Sequence, residues 1–174
     1  MERIKVWDPV VRVFHWTLVA GFAANALFVD DDSKLHQWIG YAILGLVAIR
    51  VLWGVVGTRY ARFANFPPSL SGSLDQIREM AGGETHRHVG HTPLGALMIY
   101  NILATLLVIG LSGYLMTTNM FWGVEWPEEL HEVAVTWAEI SVVLHIVAVL
   151  YESWRTSVNL PRAMVTGCKV LPSD

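Results

Sequence analysis

The 174-residue chain is 53% hydrophobic and 16% charged, with a mean hydropathy of +0.43 and a formal net charge of −3. Soluble domains usually carry about 25% charged residues, so this composition points to a lipid bilayer as solvent, and no nucleic-acid partner is expected. The single cysteine, Cys168, excludes an internal disulfide and any four-cysteine iron–sulfur site.

A first helix is expected over about 11–29. Between Arg12 and Asp30 there is no Asp, Glu, Lys or Arg, and at about 1.5 Å per residue such a run crosses most of a hydrocarbon layer about 30 Å thick. A cleaved leader does not suit it: Asp8-Pro9 precedes the run, no small-residue cleavage site precedes Asp30, Asp31 and Asp32, and cleavage would discard His15. A second helix, over 35–57, is apolar except for Arg50. The connection over 58–93 contains Phe66-Pro67-Pro68-Ser69 and then Leu74, Ile77, Met80 and Ala81, spaced as the apolar stripe of a short helix lying on a membrane surface. A third helix over 94–116 is uncharged, and a fourth over 132–156 carries Glu139 and Glu152. Residues 1–174 therefore read as one membrane-embedded domain, an all-α integral membrane four-helix bundle.

Charge sets the expected orientation. Of 12 Lys and Arg residues, Lys34 alone falls in the short turns after the first and third helices. The others cluster at the termini, in the 58–93 connection and at adjoining helix ends, which makes both termini cytoplasmic by the positive-inside rule. The opposite face carries Asp30, Asp31, Asp32, Glu125, Glu128, Glu129 and Glu132. Trp7, Trp16, Trp53 and Trp154 would form an inner interfacial belt, and Trp38, Trp122, Trp126 and Trp137 an outer one.

Four histidines then stand out. His131 and His145 are 14 residues apart on one expected helix, which separates them by about 21 Å along the axis on nearly one face. His36 opens the second helix and matches His131 near the outer side; His15 opens the first and is left for His145 near the inner side. Imidazole is a common ligand of haem iron, and two of them fill both axial positions. With no Cys-x-x-Cys-His run for covalent attachment, two stacked haems b are expected, the pairs being His36/His131 and His15/His145. His91, at the inner start of the third helix, remains an alternative for either inner ligand. The cluster His86, His88 and His91 is either a zinc site lacking a firm fourth ligand or a set of solvated histidines.

Several stretches carry a family resemblance. Val6-Trp7-Asp8-Pro9, Phe14-His15-Trp16, Leu35-His36-Gln37-Trp38-Ile39-Gly40-Tyr41, Gly90-His91-Thr92-Pro93-Leu94-Gly95, Glu129-Leu130-His131-Glu132 and Asn159-Leu160-Pro161-Arg162-Ala163-Met164 resemble the bacterial cytochrome b561 family, which includes the b-type subunit of membrane nickel-iron hydrogenases. The resemblance implies a di-haem cytochrome of the bacterial inner membrane, with ligands on His15, His36, His131 and His145.

Arg12 and Arg50 are candidates to pair with the inner haem's propionates, although Arg50 could equally snorkel to the cytoplasm; Lys34 is the basic candidate outside. Gly21, Gly40, Gly95 and Gly113 would let a porphyrin or a helix approach. Glu139, between the two levels, is expected to be a paired polar residue of the bundle, or else to serve a ligand or a proton path. The expected function is transmembrane electron transfer between the quinone pool and a redox partner such as a c-type cytochrome, a dehydrogenase or a hydrogenase, the haems carrying the redox chemistry. A carrier subunit is favoured over an enzyme. The alternative is a stand-alone quinone reductase using a small outer-face reductant such as superoxide.

Overall fold

A computed structural model describes residues 2–83 and 89–171. Four long helices dominate: α1 (Pro9–Leu27), α2 (Lys34–Val56), α4 (Pro93–Met116) and α5 (Trp126–Thr156), all long and apolar enough to cross a membrane. Two shorter helices, α3 (Leu70–Ala81) and α6 (Leu160–Thr166), and two strands, β1 (Glu2–Lys5) and β2 (Cys168–Leu171), complete the described elements, together with two single 3-10 turns.

Local chemistry starts these helices where the chain requires. Asp8, Ser33, Ser69, Thr92 and Asn159 each accept a hydrogen bond from a backbone N–H of the turn that follows, and prolines occupy the first turn of α1, α4, α5 and α6. A cap satisfies an otherwise orphaned donor, and proline at that point loses no hydrogen bond. α5 has no side-chain cap; its first turn instead carries Glu128 and Glu129, where negative charge meets the positive end of the helix dipole. For that reason α5 begins at Trp126, six residues before the expected start, and its 31 residues span about 46 Å. It is therefore longer than the 19-residue α1 by about 18 Å.

In space the long helices run in the order α1, α2, α4, α5, each packing on the next. Phe14, Ile43, Val47, Leu103 and Leu106 form the central core. The α2–α4 crossing depends on Gly110, where an added Cβ would lie 2.7 Å from Leu44 Cδ1. Outward-facing positions such as Val55, Val133, Val143 and Leu150 are apolar and exposed, as lipid-facing residues are.

The described termini meet at the end of the bundle that also holds the α2–α4 connection. β1 and β2 pair antiparallel, Arg3 opposite Val170 and Lys5 opposite Cys168. Just before β2, Gly167 closes α6 in a left-handed turn (φ 83°), and its carbonyl accepts hydrogen bonds from Val6 and Trp7 N–H at 2.9 and 3.0 Å. Neither the sheet nor α6 was expected from the sequence. Trp7 is correspondingly not an interfacial belt residue: it is buried with Val6 and Ala163 in a second core beneath the helices. Trp137 also departs from the belt, since its Nε1 donates to Asn101 Oδ1 at 2.9 Å between α5 and α4. α3 extends the expected amphipathic stripe but turns it outward. Ser73 and Gln76 are its buried residues, Gln76 Oε1 accepts from Leu94 N–H at 3.0 Å, and Leu70, Leu74 and Ile77 stay exposed.

Candidate functional site

The structure brings the rings of His36 and His131 together in an edge-to-face arrangement. Their ring centres are 6.3 Å apart with the planes at 63°. A metal bonded to one nitrogen of each ring at about 2 Å, with roughly 1.1 Å from nitrogen to ring centre, would hold the rings about 6 Å apart, so the observed gap fits a bis-imidazole centre. His36 is held from two sides: its N–H donates to Ser33 Oγ at 3.1 Å, and its carbonyl accepts from Asn25 Nδ2 of α1 at 3.1 Å. His131 Nδ1 lies 3.0 Å from the Ile109 carbonyl and 3.1 Å from Ser112 Oγ, both on α4.

At the other level, His15 on α1 lies within electrostatic reach of His145 on α5. His15 and His36 each bury Nδ1 without a protein partner, and such buried nitrogens are available to a ligand or to a bound group's surroundings. The donor set, one opposed imidazole pair at His36 and His131 and a second pair of imidazoles, His15 and His145, within mutual electrostatic reach, fits ligation of haem iron.

His91 lies elsewhere. Its ring packs between Phe66 (centroids 4.1 Å) and Trp7 (4.7 Å), and burial, then the nearby charges of Lys169 and Arg50, push it down to about 3. It is a neutral packing residue at physiological pH. His86 and His88 lie outside the described residues, and no group of three metal-ligating side chains occurs among the described ones.

The basic candidates occupy different settings. Arg50 is only 4% exposed, sits 4.9 Å from the Phe63 ring centre and has no hydrogen-bond partner for Nη1. It is thus packed in the bundle rather than extended to the surface. Arg12 Nη2 donates to the Val165 carbonyl, which ties α1 to α6, while its Nε stays unpartnered. Lys34 is exposed at the first position of α2. Glu139 is exposed partway along α5 and has no hydrogen bond or ion pair among the described residues, contrary to the expected pairing. Of the glycines, Gly113 abuts a ligand candidate, its added Cβ lying 3.2 Å from His131 Cε1; Gly21 makes ordinary contact with Ile43, Gly40 faces open space, and Gly95 neighbours its own cap, Thr92.

Sequence reasoning missed four residues around this site. Asn25, Ser112 and Asn101 act across helices, and Lys169 spans 79 positions to donate to the Gly90 carbonyl at 2.8 Å. Each was an isolated polar residue with no local motif. Lys169 is buried, and burial pushes its ammonium down to about 8, Glu152 acting in the opposite direction. From the sequence, Asp8 stands out only as a charge ahead of the first apolar run and as part of the family resemblance. Its carboxylate is a hub of the end where the described termini meet, accepting from Val11 N–H at 3.0 Å, Trp53 Nε1 at 3.2 Å and Thr58 Oγ1 at 2.6 Å. Burial alone would raise its pKa, but these hydrogen bonds outweigh that and hold it below the ordinary 3.8.

No curated protein and no solved structure matches the chain. The family model of prokaryotic cytochrome b561 matches residues 6–167. That span takes in all four long helices and His15, His36, His131 and His145, and the chain accordingly belongs to the prokaryotic cytochrome b561 family, multi-pass bacterial membrane proteins that transfer electrons across the bilayer through b-type haem.

Proposed function

We propose that this chain carries two haems b, one held by His36 and His131 near the outer face and one by His15 and His145 near the cytoplasmic face, and passes electrons between the quinone pool and a redox partner. A c-type cytochrome, a dehydrogenase or a hydrogenase subunit would suit that partner. The observation that carries the reading is the 6.3 Å separation of the His36 and His131 rings. The inner membrane is the setting, with both termini cytoplasmic, because basic residues gather at the end where β1, β2 and the α2–α4 connection meet.

The haems supply one-electron redox chemistry; the protein supplies position, orientation and exclusion of water. His36 with His131, and His15 with His145, would hold the two haems and would leave neither iron open to oxygen. α5 provides one ligand at each level, and α1 and α2 provide one each, so the spacing along a single rigid helix sets the separation of the centres. Among the cations, Arg50 is suited to an inner propionate: it is a buried guanidinium with an unpartnered Nη1. Arg12 offers only its Nε once Nη2 is engaged by Val165, and Lys34 serves the outer side. Acidic groups on the outer face would steer a basic soluble partner.

Haem stoichiometry and a redox titration on the detergent-purified full chain test this reading. Two non-covalent haems per chain with two resolved potentials are expected. A single redox centre would overturn it.

A further inference from the structure

Of the four candidate ligand histidines, His131 alone has a ring nitrogen hydrogen-bonded within the protein among the described residues. The Ile109 carbonyl, 3.0 Å away, can only accept, so His131 Nδ1 carries the proton and donates it. Ser112 is 1% exposed and donates its own proton to the Val108 carbonyl at 2.8 Å. Its oxygen, 3.1 Å from Nδ1, is therefore a second acceptor for the same imidazole proton. On the next residue, Gly113 brings the α4 backbone flush against the ring, since a Cβ there would lie 3.2 Å from His131 Cε1. The Ile109 carbonyl fixes the tautomer of His131, leaving Nε2 with its lone pair, and Ser112 and Gly113 together fix the ring's rotation. His15 and His36 have no such partner at Nδ1.

A ligand imidazole whose remote N–H is shared with acceptors is more basic at the metal and donates more strongly to it. Stronger donation favours the ferric over the ferrous state and lowers the reduction potential. We propose that Ser112 is a positioning residue that acts through His131 Nδ1 to lower the potential of the outer haem. The inference rests on the reading of His131 as an axial ligand.

Ser112→Ala removes one acceptor without stranding a donor, because the Ile109 carbonyl still receives the imidazole proton. The full chain in detergent should keep its haem content, raise the potential of the outer centre, identified as the one missing from His131→Ala, and shift that centre's low-spin electron paramagnetic resonance signal. The inner centre should not move. Ser112→Thr, which keeps the hydroxyl, should restore the wild-type potential. Unchanged outer potential and resonance signal in Ser112→Ala would overturn the inference while leaving the ligand reading intact. Retention of both haems by His131→Ala would instead remove the reading beneath it.

Discussion

The two ends of the bundle are built by different means. At the proposed outer end the candidate ligands are set by a helix cap and the neighbouring helices: Ser33 holds the His36 backbone N–H, Asn25 on α1 holds the His36 carbonyl, and Ser112 and Ile109 on α4 hold the His131 ring. At the proposed inner end the described termini, α6 and the α2–α4 connection are drawn together around Asp8, Trp7, His91 and Lys169. The outer arrangement fixes ring orientation with few groups. The inner one closes the bundle with many interlocked groups. Orientation and closure are thus carried by separate sets of residues, and substitutions at the two ends should have separable consequences.

The sharpest separation is expected from Asp8→Ala. It removes the α1 cap and leaves Trp53 Nε1–H and the Thr58 hydroxyl without their acceptor, a loss of about 2–4 kcal/mol. Thermal unfolding in detergent should show this loss while the resonance signal of the outer haem stays unchanged; a shifted outer signal would break the distinction between the ends. A smaller effect is expected from acid. His91 is held at about 3 in the folded chain against an ordinary 6.5, so the unfolded chain binds more protons between those values. Stability is then complete above pH 6.5 and is lost as pH falls towards 3, by about 2 kcal/mol between pH 7 and pH 5. His91→Phe should flatten that part of the pH profile, read by unfolding at the two pH values. An unaltered slope would assign the acid sensitivity to other groups.

Much of this was legible from local chemistry. The uncharged apolar runs place the starts of α1, α2 and α4 at about 11, 35 and 94, within two residues of Pro9, Lys34 and Pro93. The 14-residue interval between His131 and His145 places both on one face because helical periodicity needs no tertiary information. Residues that act across the fold were not legible. Ser112 is 19 positions from His131, and Lys169 is 79 from Gly90; neither spacing has a local signature. Trp7 and Trp137 were misread for a related reason, since interfacial preference describes an average depth and yields to a specific packing or hydrogen-bonding partner. The early start of α5 escaped notice because an acidic stretch resembles a loop in composition, although acidic residues suit the first turn of a helix.

The pairing of the four imidazoles can be tested directly by counting and identifying the haems left in the single variants His15→Ala, His36→Ala, His131→Ala and His145→Ala. His36→Ala and His131→Ala should each lose the same haem and keep the other, and His15→Ala and His145→Ala should lose the one that those two keep. Loss of different haems within either pair, or retention of both haems in both members of a pair, would contradict the account.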